Sequence, residues 1–354
     1  MAGSETLYGG QAVIEGVMMR GAHQFAVACR RASGEIAVTC EPVPKVFRPA
    51  WQKLPFLRGA FSLVDAMTLG TKAMFWAAKI AEADIPKPEA KNKIRLSEEV
   101  VGPALGTAVA APDPLPAESA PSSVGVTDVA IGGAMVTGLL FAMVLVFVIP
   151  NLVLSAAQQA GVPNGWQLGL IDAAVRFGIF FTYIALISRM THVRRVFQYH
   201  GAEHKAINAL EAGGRDGLTV AAARAASRLH PRCGTSFVFI VLLLSTLALV
   251  PFHGLPTYYR VPIHLALALP IAGVSFELLR LAGKYRDRPL AAALSRPGMF
   301  AQLLTTREPD DEQLDVALTS LKAVMDAERA GPTLDFTVEN AAAADTDKEE
   351  PEIA

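Results

Sequence analysis

The stretch of this chain best equipped for chemistry is Tyr199-His200-Gly201-Ala202-Glu203-His204-Lys205. On a helix, residues four apart share a face, so His200 and His204 can hold one divalent metal ion between them, zinc being the ion this pair suits. Glu203 beside them is placed to polarise water as a general base. The pattern H-x-x-E-H is the inverted zinc-protease signature, and it gathers two of only seven histidines. A plainer reading fits the same residues: they cap the end of an apolar helix and pair with Arg194 or Arg195. Downstream, His230-Pro231-Arg232-Cys233 offers an imidazole and a thiol, donors that zinc accepts. Pro231 suits a first helical turn. The simpler alternative there is an interfacial turn, with Arg232 on lipid phosphate and Cys233 as a small apolar residue.

Two further segments carry candidate groups. Tyr8–Gly21 holds four glycines in fourteen residues, which permit tight turns and close backbone approach. It is neither G-x-G-x-x-G nor a P-loop, so it is no nucleotide fingerprint. Its Glu15 and Arg20 are polar in an apolar neighbourhood and are placed to form a buried pair, unless the segment is simply a compact β-turn structure. Near the other end, Glu308, Asp310, Asp311 and Glu312 crowd beside Arg307. Glu308 or Glu312 would complete the His200 site, whereas Thr306 or Asp310 would cap a helix over Glu312–Ala327. Acidic residues favour a first helical turn in any case. Glu211 shares the face of His204, but Gly213-Gly214 end that helix almost at once. His23, His192, His253 and His264 lack ligand spacing.

These groups must be positioned by a membrane protein. Of 354 residues, 52% are hydrophobic and 18% charged, with a net charge of −1. That balance points to the membrane class and carries no nucleic-acid signature. Three cysteines without a C-x-x-C argue against a disulfide framework and for a reducing compartment. Met1–Gln11 lacks the basic and apolar regions of a cleavable signal peptide. Four apolar stretches are long enough to span a bilayer: Ala130–Leu154, Leu168–Met190, Thr235–Pro251 and Val261–Gly283. The second includes Asp172 and Arg176, spaced to pair, unless Arg176 snorkels to the interface. The loop 189–234 holds eight of the basic residues, and the other two connecting loops only Arg260. The positive-inside rule then puts that loop and both termini in the cytoplasm, and Lys284, Arg286 and Arg288 agree.

The expected architecture is a mainly α membrane protein of about four transmembrane helices, with a small N-terminal β-rich unit and an amphipathic helix. Residues 1–50 form the β-rich unit, with strands Phe25–Arg30 and Glu35–Glu41 around Ala32-Ser33-Gly34. Residues 51–85 form the helix, whose Arg58, Asp65, Lys72 and Lys79 recur every seven residues. It lies on the membrane, packs on the β unit, or dips into the bilayer. Residues 86–129 read as a disordered linker and 130–283 as the transmembrane domain. Residues 284–330 read as a cytoplasmic helical segment and 331–354 as an acidic disordered tail. There is no internal repeat.

Four motifs in this order resemble one family: G-G-Q-A-V-I-E-G-V-M-M-R-G at Gly9–Gly21, Y-H-G-A-E-H-K at Tyr199–Lys205, H-P-R-C-G-T-S-F at His230–Phe237 and L-T-T-R-E-P-D-D-E-Q at Leu304–Gln313. The chain is similar to the DUF1385, or YqhQ-like, group of bacterial membrane proteins, described as predicted metal-dependent enzymes of unassigned activity. The resemblance implies an integral protein of the bacterial inner membrane. It strengthens His200, Glu203, His204, His230 and Cys233 as site candidates and raises the weight of Glu15, Arg20, Arg307 and Glu308. Two functions compete. One is a metal-dependent hydrolase of a membrane-proximal substrate, with the ion on His200, His204 and either His230 or an acidic residue, and Arg20 or Arg307 steadying an anionic transition state. The other is a non-enzymatic biogenesis or assembly factor whose motifs bind a protein partner. A transporter fits less well, since four spans with few charges give a poor pathway unless a homo-oligomer builds one.

Overall fold

The computed structural model describes residues 8–44, 56–84, 126–285, 288–331 and 336–338. Of the expected linker 86–129, residues 86–125 lie outside the described residues, as do Arg286 and most of the acidic tail. Residues 126–129 correct that expectation: they are the first turn of an apolar helix that runs on to Met143. Contacts divide the chain into two compact units, residues 86–145 and the remainder. In the smaller unit the described element is the apolar helix α2 (Val126–Met143).

The larger unit begins with an antiparallel meander, β1 (Gly9–Val13), β2 (Gly16–Arg20), β3 (Gln24–Arg30) and β4 (Ile36–Pro42). Ile14-Glu15 make a two-residue turn, with Glu15 at φ 50°, in the left-handed region. β3 and β4 coincide with the expected strands to within a residue. Side chains alternate across this sheet, as a period of two demands. Met18, Phe25, Val27 and Cys29 meet Leu69, Ala73 and Ala77 of α1 (Leu57–Ala83). Val17, Met19, Ala26 and Ala28 share a second core with α5 (Thr191–Gly213) and α10 (Asp311–Ala330). The sheet is therefore covered on both faces.

The later half of α1 lies on the sheet, and its first turn meets a membrane helix. Its heptad-spaced charges are spent on different neighbours: Arg58 on Glu277, Asp65 on Arg20 and Lys72 on Glu41. α10 starts where the acidic cluster allows, with Asp310 and Gln313 forming a capping box. One correction concerns the tail. Within residues 331–354, read as disordered, β5 (Phe336–Val338) pairs with β4 through backbone hydrogen bonds, which composition does not encode.

Four of the described helical stretches are long and apolar enough to cross a membrane: Val136–Gln159, Trp166–Ile187, Gly234–Phe252 and Thr257–Lys284. The first contains α3 (Ile149–Gln159) and the others α4 (Trp166–Ile187), α7 (Gly234–Leu249) and α8 (Thr257–Lys284). The first runs past its expected end because Ser155 returns its hydroxyl to Asn151 O at 2.8 Å and Gln158 donates to His253 O at 2.8 Å. Pro150 has no N–H for the carbonyl of Val146 one turn before it. Arg176 on α4 donates to that oxygen at 3.1 Å. Between α5 and α7 lies the short α6 (Val220–Ala225), and α9 (Pro289–Thr305) follows α8. The sequence pattern did not single out α9 as a helix of its own. It lies on α7 so closely that a Cβ on Gly298 would sit 2.8 Å from Ser236 Oγ.

Candidate functional site

α5 carries His200, Glu203 and His204 on the end of the larger unit where α7 begins. Each imidazole has one nitrogen committed to a backbone carbonyl. His200 Nδ1 lies 2.9 Å from Thr305 O, at the end of α9, and His204 Nδ1 2.6 Å from Arg228 O. A carbonyl only accepts, so each Nδ1 bears a proton, and in the neutral ring each Nε2 is then the atom with the lone pair. This is how imidazoles that ligate metals are held by their outer partners.

The third donor arrives on the loop between α6 and α7. Side chains of α5 fasten that loop. Lys205 Nζ donates to Arg224 O and Ala226 O at 2.8 and 2.9 Å, and Asn208 Nδ2 to Ser227 O and Leu229 O at 2.7 and 3.1 Å. From α9, Gln302 grips His230 on both sides, accepting from its N–H at 2.9 Å and donating to its carbonyl at 2.8 Å. So held, the loop delivers Cys233, the N-cap residue of α7, with Sγ 3.3 Å from His200 Nε2. Ligand atoms of His200, His204 and Cys233 all lie within 4.8 Å of one another. Donors around a tetrahedral zinc are roughly 3.5 Å apart, given bonds of about 2.0 Å to nitrogen and 2.3 Å to sulfur. The donor set thus fits a divalent ion in chemistry and, within small side-chain movements, in spacing.

Glu203 faces the same space. Its Oε2 is 3.9 Å from Nε2 of His200 and of His204, and its side chain is 6% exposed. Among the described residues, no arginine or lysine forms an ion pair with it. Burial pushes its carboxyl up to about 7, although His200 and the Gly10 N–H both pull it down. Gly10 on β1 comes this close because it has no side chain: a Cβ there would lie 2.7 Å from both Glu203 Cγ and Met18 O. These groups line a cavity of about 120 Å³ that also meets Tyr8, Ile207, His230 and Arg232.

The other expected residues lie around this centre or apart from it. His230 lines the cavity with its ring 5.8 Å from that of His204, but its Nε2 is 3.5 Å from Glu211 Oε1. Burial holds His230 below its ordinary value, while His230 and Arg232 together hold Glu211 down at about 2. Cys233, rather than His230 or an acidic residue, stands third beside the two histidines. Glu308 is 62% exposed and pairs with Lys205 at 2.6 Å. Arg307 serves through its backbone, its N–H donating to Phe197 O at 2.8 Å and its carbonyl occupying the place a Cβ on Gly201 would take. Arg20 is engaged with Asp65, and Glu15 with Arg195 and the Tyr199 hydroxyl. The structure therefore does not bring Glu308, Arg307 or Arg20 into the cavity.

Sequence reasoning missed Lys205, Asn208 and Gln302, which act on distant backbone, whereas the close backbone approach expected of the glycines in Tyr8–Gly21 is what Gly10 provides. It also gave no role to His253 and His264. His253 Nε2 lies 3.5 Å from Asp172 Oδ2, and His264 Nε2 lies 3.2 Å from a guanidinium nitrogen of Arg176. No spacing rule joins residues on different helices.

Comparison with known proteins agrees with the motifs. The family model described as "Protein of unknown function (DUF1385)" matches residues 54–327. The chain is 32% identical over 321 residues to the uncharacterized protein YqhQ of Bacillus subtilis (strain 168), covering 90% of this chain and 92% of that protein. No solved structure matches.

Proposed function

We propose a function for this chain, which belongs to the DUF1385 family: a metal-dependent hydrolase working at the membrane surface on a membrane-proximal substrate. The observation that carries it is the convergence of His200 Nε2, His204 Nε2 and Cys233 Sγ beside the unneutralised carboxylate of Glu203. Three protein donors with room for a fourth group is the composition of catalytic zinc sites, whereas structural sites close with four. A divalent ion there would supply Lewis acidity toward a carbonyl or phosphoryl oxygen. Glu203 takes the proton from water and returns it to the leaving group, a role suited to a carboxyl shifted toward neutrality. Arg228 O and Thr305 O hold the two imidazoles in their ligating tautomer. The excess of basic residues in 189–234 supports a cytoplasmic location for the centre and for both termini.

The test is the metal content of detergent-purified protein. Wild type carries one divalent ion per chain, His204→Ala loses it, and Glu203→Gln keeps it while failing to complement a deletion strain. Well-folded wild type without stoichiometric metal would overturn the reading.

A second reading has one observation behind it. Cys233 Sγ and His200 Nε2, at 3.3 Å, are also spaced as a thiol nucleophile and its base. Alkylation separates the two: a nucleophilic Cys233 is modified rapidly by iodoacetamide in metal-replete protein, whereas a ligating thiolate is shielded until chelator removes the ion.

A further inference from the structure

The centre is polar, but the wall next to it is not. Residues 230–236 form a single turn of chain that serves two cavities. His230, Arg232 and Cys233 face the polar one, and Pro231 and Ser236 face a second, of about 170 Å³. The second is apolar. Beyond Ser236 it follows one face of α7 through Phe239, Ile240, Leu243 and Leu244, closed by α8 and α9. Those positions recur at intervals of three and four, the spacing of one helical stripe. From Ser236 to Leu244 the groove runs about 12 Å along the helix, at 1.5 Å per residue.

Its surroundings say what fills it. α7 lies within a stretch long and apolar enough to cross the bilayer. Leu243 and Leu278 on its open flank are 42% and 37% exposed, so the groove opens sideways, where the neighbouring solvent is lipid. An aliphatic cavity near 150 Å³ stays dry and takes hydrocarbon. Pro297 and Gly298 of α9 line the groove: α9 approaches α7 closely at Gly298, and its helix loses a backbone donor at Pro297. Gln302 fixes the rim, donating to both His230 O and Ser236 Oγ, at 2.8 and 2.9 Å.

We infer that this groove seats a single hydrocarbon chain of a membrane amphiphile whose polar end lies at the His200–Cys233 centre, so that the substrate class is a lipid or lipid-linked molecule. The inference rests on the hydrolase reading for its polar end and on the α7 groove for its chain. The occupant enters laterally from the leaflet on the side of the centre.

The test uses full-length protein in vesicles of phosphatidylethanolamine and phosphatidylglycerol containing a phosphatidylglycerol with a diazirine at the end of one acyl chain. Photolabelled residues are mapped by mass spectrometry, and metal content is measured on the same samples. Label is expected to concentrate on Phe239–Leu244. Leu244→Trp, which fills the groove, lowers that label about tenfold, the equivalent of two methylenes losing their apolar contacts. Leu247→Trp, on an exposed face of the same helix, leaves it unchanged. Label spread evenly over all exposed span faces overturns the inference, whether or not Leu244→Trp folds. Metal absent with the groove labelled sinks the hydrolase reading and leaves the chain seat standing. Metal present with the groove unlabelled does the reverse.

Discussion

The larger unit buries two clusters of histidine and carboxylate, and they are built to opposite ends. Within the membrane-spanning helices, Arg176 Nε donates to both oxygens of Asp172, at 2.8 and 2.9 Å, and the same guanidinium reaches Val146 O and His264. Charge is answered by charge, and the pair sits at 4% and 0% exposure. At the end of α5 the arrangement is reversed. Backbone carbonyls hold the outer nitrogens of His200 and His204, no arginine or lysine among the described residues pairs with Glu203, and the remaining donor atoms line a shared space. Burial of polar groups therefore does not mark a site by itself. The mark is donor atoms held rigidly from behind and left unspent in front.

Four single substitutions and one double substitution test that contrast. Asp172→Ala strands a buried guanidinium and should cost about 3–5 kcal/mol of stability, while Asp172→Leu with Arg176→Met together should be near neutral. Thermal unfolding in detergent reads both, and metal content per folded chain should not move. An Asp172→Ala variant as stable as wild type would mean that the pair is solvated. Next in size, Lys205→Met releases two carbonyls of the loop that delivers Cys233, for about 2–3 kcal/mol. This variant should also weaken metal binding; a loss of stability with unchanged metal affinity would break the link between loop and centre. Asp310→Ala removes the capping box of α10 and should cost about 1 kcal/mol with no effect at the centre. Glu203→Gln should perturb stability least, since the amide matches the shape of the carboxyl and can still accept from Gly10. A large destabilisation there would show Glu203 to be a structural residue.

Much of this was legible in the chain. Apolar runs mark the spans because a bilayer demands length and composition together. The strands at Phe25 and Glu35 follow from alternation, and the α10 start from its cap. His200, Glu203 and His204 stand out because one helix sets their spacing. What stayed hidden depends on approach between distant segments. Cys233 becomes the third donor only because Lys205, Asn208 and Gln302 hold a loop in place, and such side-chain-to-backbone bonds leave no period in the sequence. Glu308 looked like a ligand by residue type, yet it pairs with Lys205 and does not line the cavity. β5 is hidden for a related reason, since a strand on a sheet edge is held by backbone groups that every residue carries.

The proposed function stands or falls with His200, His204 and Cys233 as one three-donor metal centre. X-ray absorption on the zinc-loaded, detergent-purified protein tests it most directly. A three-donor centre gives one ion per chain, with two imidazole nitrogens at about 2.0 Å and one sulfur at about 2.3 Å, the sulfur vanishing in Cys233→Ser. A spectrum without sulfur, or one that Cys233→Ser and His204→Ala leave unchanged, would contradict it.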